Sequence, residues 1–126
     1  ADLHPSMRTN LIRQRVADFL ERHAPFDSLS PADRLELAGS GRVKFHEAGE
    51  EILREGEAPG PVVWVVQQGQ VELFAGDRLC DVAGEGDLLG LERFAGAAVS
   101  EQTARTGTDV ILYGLSAPLF AEMAER

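Results

Sequence analysis

The side chains that could carry catalysis are few, and their spacing does not suit it. A metal-dependent β-roll enzyme needs several histidines converging on one metal, and the chain has only His4, His23 and His46, with no His-x-His pair. Ser100 and Ser116 have no histidine near them in sequence, and no Gly-x-Ser-x-Gly motif marks a nucleophile. The sequence therefore predicts a non-catalytic protein without metal or cofactor, and it disfavours a cupin-type metalloenzyme.

The irregular stretch from Gly90 to Ser100 is the best candidate for a ligand site. It interrupts a regular series of short β-rich runs with small and apolar residues, and its first part, Leu91 to Ala95, is expected to form a short helix. In all-β folds, function usually lies in such loops. The candidate ligand-binding residues are Gly90, Leu91, Glu92, Ser100, Glu101, Gln102 and Thr103.

Seven short β-rich runs follow Gly41, separated by turns rich in glycine, proline and acidic residues. Many short strands with polar turns predict a sandwich, a jelly roll or a small barrel. The predicted strands are Val43–Phe45, Ile52–Arg54, Val62–Gln67, Gln70–Phe74, Leu79–Val82, Thr103–Arg105 and Val110–Leu115. Gln68-Gly69 lies between two of these runs and predicts a tight hairpin turn, with Gly69 at positive φ.

Helical patterns flank the strands on both sides. Five apolar residues at helical spacing predict the first helix: Leu11, Ile12, Val16, Phe19 and Leu20. Asn10 is its predicted N-cap. Ser30 caps a second helix with Pro31 in its first position, and Gly39 to Gly41 end it. Ser116 is the predicted cap of a third helix.

These patterns divide the chain into three parts. We expect a helical segment at residues 1–40, a β-roll at 41–115 with its ligand segment at 89–103, and the start of a C-terminal helix at 116–126. The length of 126 residues suits one domain with one core. The chain lacks an initiator methionine and stops early in a helical pattern, so we expect it to be a fragment of a longer protein.

Charge and hydropathy set limits on partners and location. The formal net charge is −9, and an acidic surface repels phosphate backbones, so binding to nucleic acid or to anionic membranes is not expected. No apolar run approaches the roughly 18 residues of a membrane span. Ala1 to Ser6 lack the pattern of a signal peptide, so we expect a cytoplasmic protein.

An ordered series of motifs resembles the cyclic-nucleotide-binding domain family. Two glycine-acid pairs, Gly49-Glu50 and Gly56-Glu57, flank an apolar strand as they do at the start of that family's fold. The matching stretches are Phe45–Glu57 for the opening strands, Val63–Leu73 for the central hairpin, Gly86–Gly90 for the approach to the phosphate-binding cassette, and Thr103–Leu115 for the strand pair that closes the roll. The resemblance implies a mainly β fold with flanking helices, a jelly-roll-like double-stranded β-helix with a short helix in the cassette.

The cassette of this chain departs from the family at both ligand-binding side chains. In the family, a glycine is followed by a glutamate that accepts a hydrogen bond from the ribose, and some nine residues later an arginine pairs with the cyclic phosphate. A gapless match puts Gly90 at the glycine, Leu91 at the glutamate, Ser100 at the arginine and Thr103 at a threonine that follows.

Loss of both side chains should abolish tight binding of a cyclic nucleotide. Removing one partner of a desolvated charge pair costs roughly 2–5 kcal/mol, and an unpaired ribose hydroxyl adds about 1–3 kcal/mol. A micromolar ligand has only about −8 kcal/mol of binding free energy. The sequence therefore predicts that cAMP and cGMP are not held in the usual way.

Three features favour the alternative of a functional sensor for a cyclic nucleotide or another small anion. Glu92 lies one residue past the family position, so a local shift of the cassette could restore an acid. Arg93 or Arg105 could reach a phosphate from another direction, and the amides after Gly90 could accept an anion at a helix start. Against these, acids also favour the first turn of a helix, and most arginines are solvated surface residues.

The sequence thus favours a regulatory or sensor domain of a larger signalling protein, or a dimerisation and docking module. Its predicted partners are a nucleotide-like or other small molecule, downstream domains of the same chain and a possible second copy. Phe19–Phe26 resembles the entry of bacterial proteins in which such a domain precedes CBS domains and a nucleotidyltransferase. A transcription factor is disfavoured because no basic helix-turn-helix follows the roll.

Overall fold

The computed structural model describes the backbone of residues 5–90 and 99–126, and side chains in these ranges from residue 10 onward. Leu91, Glu92 and the expected cassette helix lie outside the described residues. The helices are α1 (Pro5–Glu21), a 3₁₀-helix (Phe26–Ser28), α2 (Pro31–Gly39) and α3 (Ala117–Ala124). The strands are β1 (Arg42–His46), β2 (Glu51–Leu53), β3 (Val62–Gln68), β4 (Val71–Ala75), β5 (Arg78–Ala83), β6 (Leu88–Leu89), β7 (Thr103–Thr106) and β8 (Val110–Ser116).

The described strands form two antiparallel four-stranded sheets. Sheet A has the order β1-β8-β3-β6, and sheet B has the order β2-β7-β4-β5. All seven predicted strands are present, and the two-residue strand β6 adds an eighth that the sequence did not indicate. The mainly β roll with flanking helices is thus confirmed.

Two strand pairings expected from sequence are wrong. Gly69 does lie at a φ of +95°, but the turn that contains it carries the chain from sheet A to sheet B, so β3 and β4 do not form a hairpin. β7 and β8 also lie in different sheets, where each is an inner strand. A short turn reverses the chain in either case, and only the packing of the two sheets decides where the next strand pairs.

An apolar core lies between the sheets, because its residues come from both. Sheet A supplies Trp64, Val66, Leu89, Val110 and Leu112, and sheet B supplies Leu53, Val71, Ala83 and Ala104. Gly114 has no side chain because the Trp64 ring occupies the space, and a Cβ there would lie 2.7 Å from the ring. The indole thus lies over the neighbouring strand β8 of the same sheet.

A second core joins the helices to the outer face of sheet A. Val65 and Leu115 of that face pack with buried residues of α1, the 3₁₀-helix, α2 and α3. The helical residues are Val16, Ala17, Phe19, Leu20, Phe26, Leu37, Ala38 and Met123. Sheet A is therefore buried on both faces over β3 and β8, which explains the continuous apolar run of β3, whereas no described element covers the outer face of sheet B.

The helix boundaries follow their caps, with one correction. Ser30 Oγ accepts a hydrogen bond from Asp33 N at 3.1 Å, and Ser116 Oγ accepts one from Leu119 N at 3.2 Å, so both predicted caps are confirmed. Asn10 is not a cap, because α1 begins at Pro5. The apolar spacing begins only at Leu11, and the more polar first turns hid the true start of the helix.

Candidate functional site

Gly90 directs the chain from the β-roll into the segment of the predicted cassette. It directly follows β6, whose Leu89 is buried opposite Trp64 of β3. Gly90 has a φ of +89°, a conformation that residues with a side chain rarely adopt. A Cβ at this position would also lie 3.3 Å from the Val62 carbonyl oxygen. The backbone geometry therefore requires glycine at the entrance to the segment.

Ser100 lies buried where the chain returns to the roll, with 1% of its surface exposed. Its N–H donates to the Glu57 carbonyl at 2.8 Å, and its carbonyl accepts from Gly56 N at 2.9 Å. Its Oγ is buried and has no hydrogen-bond partner among the described residues. The backbone of this residue is thus fixed to the loop between β2 and β3, while no described residue bonds to its hydroxyl.

The three candidate residues after Ser100 have different environments. Glu101 is exposed, Gln102 is half-buried, and Thr103 begins β7. Thr103 Oγ1 accepts a hydrogen bond from Glu55 N at 3.1 Å. Ser100 and Thr103 therefore hold the same β2–β3 loop, and the structure brings them together. Leu91 and Glu92 lie outside the described residues.

Acidic side chains surround the described part of this region. The loop that contacts Ser100 carries Glu55 and Glu57, and Glu101 follows on the other side. Glu55 Oε2 accepts a hydrogen bond from Gly76 N at 3.2 Å, which ties the loop to the turn between β4 and β5. This environment repels an anion, because each carboxylate adds a like charge.

Two described arginines near this region, Arg54 just after β2 and Arg105 of β7, are engaged elsewhere. Arg54 donates two hydrogen bonds to Glu51, at 2.9 and 3.0 Å, and this pairing lowers the pKa of Glu51 and raises that of Arg54. Arg105 is exposed, whereas its neighbours Ala104 and Thr106 are buried, so Arg105 lies on the outer face of the sheet. There its guanidinium stacks 5.4 Å from the Phe74 ring centroid. Neither arginine faces the interior of the roll.

Side-chain contacts missed in the sequence reinforce the frame around this region. Thr106 Oγ1 accepts from Glu50 N at 2.8 Å and donates to the Glu47 carbonyl at 2.6 Å. Asp109 Oδ1 accepts from Ala48 N at 3.0 Å. These bonds fix the β1–β2 turn to the end of β7 and the turn after it. The glycine-acid pairs in sequence marked the turns, and only the structure shows what binds them.

The described residues contain no cluster of three or more histidine, cysteine, aspartate or glutamate side chains arranged to hold a metal ion. Among the helices in the described ranges, none is both long and apolar enough to span a membrane.

The chain belongs to the cyclic nucleotide-binding domain family. The family model matches residues 43–126, which include the whole roll and α3. Members of this family are regulatory and non-catalytic domains. No curated protein sequence shows significant similarity to the chain.

Solved structures with the same fold come from kinases and from a transcription regulator. One is a mutant regulatory subunit of a cAMP-independent protein kinase A from Trypanosoma brucei, bound to cAMP in its A site. It superposes with a TM-score of 0.84 at 21% identity, and the match covers 94% of this chain and 45% of that one. The guanosine-bound regulatory subunit of a cAMP-independent kinase from Trypanosoma cruzi gives 0.80 at 21% identity, covering 96% and 44%.

The sensor domain of the transcriptional regulator DNR from Pseudomonas aeruginosa gives a TM-score of 0.78 at 20% identity, covering 86% of this chain and 80% of that one. These identities are low, so the likeness concerns the fold. The chain spans less than half the length of the two trypanosome kinase subunits.

Proposed function

We propose that this chain is a regulatory domain with the cyclic-nucleotide-binding fold that does not hold cAMP or cGMP in the usual way. The observation that carries the proposal is Ser100. In the gapless sequence match this short, buried residue falls at the family's phosphate-binding arginine, while nearby Arg54 pairs with Glu51 and Arg105 lies on the outer face of sheet B. Glu55, Glu57 and Glu101 make the surroundings acidic.

A cAMP-bound mutant of a relative suggests which substitutions to test. The Trypanosoma brucei mutant that is bound to cAMP carries three substitutions, among them a threonine changed to arginine and the neighbouring valine changed to alanine. By analogy, Ser100→Arg supplies the missing guanidinium here, Glu101→Ala removes the adjacent charge, and Leu91→Glu supplies the ribose acceptor. A bidentate guanidinium pair with phosphate is among the strongest hydrogen-bonded contacts.

The test is calorimetric titration of the natural chain and its variants with cAMP and cGMP to millimolar concentration. We expect no binding by the natural chain and binding by Leu91→Glu/Ser100→Arg/Glu101→Ala. The matched control replaces Ser100→Arg by Ser100→Gln, which adds bulk without charge, and thermal unfolding confirms that each variant folds. Micromolar binding by the natural chain would refute the proposal, and Glu92, Arg93 and Arg105 would then be the residues to substitute.

An uncharged nucleoside is a second candidate ligand. A site with Leu91 and Ser100 in place of two charged side chains suits a ligand without a phosphate, and the buried Ser100 hydroxyl forms no hydrogen bond to a described residue. The Trypanosoma cruzi relative, also a cAMP-independent regulatory subunit, is bound to guanosine. Titration with guanosine and adenosine tests this candidate, and Ser100→Ala should weaken binding if the hydroxyl contacts the nucleoside.

We propose that the domain acts on other parts of a longer signalling protein, because the family is regulatory and the matched kinase subunits are more than twice as long as this chain. CBS and nucleotidyltransferase domains are the output that the sequence resemblance suggests. We also propose that the protein is cytoplasmic and that it forms a homodimer.

A further inference from the structure

A cleft of about 510 Å³ separates α1 from the outer face of sheet A, on the side of β1 and β8. Its floor is apolar and consists of Ile12, Val16, Phe19, Val43, Ile111 and Tyr113. It lies on the face opposite the inter-sheet core, so it is separate from the Ser100 region and its role does not depend on the ligand proposed above.

The floor continues along β1 as an exposed apolar strip. Val43 is 48% exposed, Phe45 is 58% exposed, and Ile12 on α1 is 54% exposed. Val43 and Phe45 alternate along one face of β1, opposite Tyr113 and Ile111 of β8. Helices cover the outer face of sheet A over β3 and β8, whereas no described element covers it over β1. Large apolar side chains grouped in this way mark a binding surface.

Two arginines without carboxylate partners line the cleft. Arg15 and Arg22 are exposed, and neither forms an ion pair with a described carboxylate, although Arg22 stacks 5.7 Å from the Phe19 ring centroid. Asp18 is the acidic residue in the lining, and its Oδ1 accepts a hydrogen bond from Gln14 Nε2 at 2.8 Å. The cleft therefore offers, beside an apolar floor, two guanidinium groups that no described carboxylate pairs with.

The cationic cleft contrasts with the rest of the molecule. Residues 1–46 contain seven arginines and lysines against six acids, whereas residues 47–126 contain five against fifteen. A basic surface on an acidic protein selects acidic partners and disfavours basic ones.

We propose that this cleft binds an amphipathic helix of a separate polypeptide that carries acidic residues beside its apolar face. A helix lying next to α1 would extend the helical layer over β1, cover Val43 and Phe45, and bring carboxylates to Arg15 and Arg22. Among the described helices, none fits as the same helix from a second copy: α1 would bring arginine against arginine, while α2 and α3 already pack Leu37, Ala38 and Met123 in the core.

The test uses a fluorescein-labelled 18-residue helical peptide with leucine on one face and glutamate beside it, and a counterpart with lysine at each glutamate. Fluorescence anisotropy measures both affinities for the full chain. We expect at least tenfold tighter binding of the glutamate peptide, weakened by added salt. Arg15→Glu/Arg22→Glu should reverse the preference, and Val43→Ser/Phe45→Ser should weaken binding of the glutamate peptide at least tenfold.

Matched controls lie on β5, in the other sheet. Arg78→Glu and Leu79→Ser change an exposed arginine and an apolar residue that is 49% exposed, and both should leave peptide binding unchanged. The arginine variants change exposed side chains, so they test the proposal even if the Val43→Ser/Phe45→Ser variant does not fold. Equal affinity for the two peptides, or a preference unaltered in Arg15→Glu/Arg22→Glu, would overturn the proposal. Self-association abolished by the same variants would also overturn it, because a second copy would then occupy the cleft.

Discussion

Burial and nearby positive charge have opposite effects on the pKa of Tyr113. It lies half-buried on β8, with its ring 5.3 Å from that of Phe19. Burial raises the pKa of Tyr113 above its ordinary value, whereas the nearby Arg22 and Arg15 lower it. Burial has the larger effect, so the folded protein holds the phenol proton more tightly than the unfolded chain does.

This balance predicts the alkaline titration of the protein. The unfolded chain loses the Tyr113 proton near pH 10 and the folded chain loses it at higher pH, so folding stability should decrease as pH rises above about 10. Tyr113 is the only tyrosine, so ultraviolet absorbance of tyrosinate reports it directly. We expect Arg22→Gln to raise the midpoint further, because it removes a cation that favours the ionised phenol. A midpoint that falls in this variant would contradict the assignment.

At the same scale, the sequence predicted which residues occupy the ligand-site positions but not their environment. The spacing from Gly90 to Ser100 and Thr103 was sufficient to compare this chain with the family. The burial of Ser100 could not be inferred, because its backbone partners Gly56 and Glu57 are distant in sequence. The outward position of Arg105 also depends on strand register, which no local pattern specifies.

Among the elements, the 3₁₀-helix depends on one buried guanidinium. Arg34 of α2 is 8% exposed, and its Nη1 donates to the backbone carbonyls of Phe26, Asp27 and Leu29. The Phe26 carbonyl also accepts a hydrogen bond from Leu29 N at 3.1 Å, so the guanidinium is a second donor there and a side-chain donor to the carbonyls of Asp27 and Leu29. Arg34 thereby fixes the 3₁₀-helix, and with it buried Phe26, against α2.

Replacing this arginine should weaken the whole helical layer. We expect Arg34→Met to lower the free energy of unfolding by about 2–3 kcal/mol, because several hydrogen bonds from a charged, buried donor are lost. Chemical denaturation followed by circular dichroism measures the change. Arg78→Met, at an exposed arginine of β5, is the control and should cost less than about 0.5 kcal/mol. Equal effects of the two substitutions would show that the carbonyl contacts contribute little.

Element type was easier to predict from sequence than element pairing. Ser30 and Ser116 placed two helix starts correctly, because a cap is a local hydrogen bond within three residues. The Gly69 turn was recognised, and its partner strands were not, because β3 pairs with β6 and β8 through contacts distant in sequence. The strand β6 has two residues, which is too short for an alternating pattern to appear.

For the molecule as a whole, the two sheets differ in how much of each is protected. Sheet A has the inter-sheet core on one face and the helices on the other, whereas the outer face of sheet B has no described cover. β3 illustrates the consequence, since Val63, Trp64, Val65 and Val66 are all buried. By contrast β5, at the edge of sheet B, is exposed along most of its length, with Ala83 as its buried residue.

This asymmetry predicts the order of hydrogen exchange. Amides of β3 and β8, which are inner strands with both faces covered, should exchange slowest and report global unfolding, whereas those of β5 should exchange through local opening. Exchange followed by mass spectrometry resolves the segments, and mild denaturant should accelerate β3 and β8 much more than β5. Slower exchange in β5 than in β3 would mean that sheet B is covered in solution, either by a partner or by self-association.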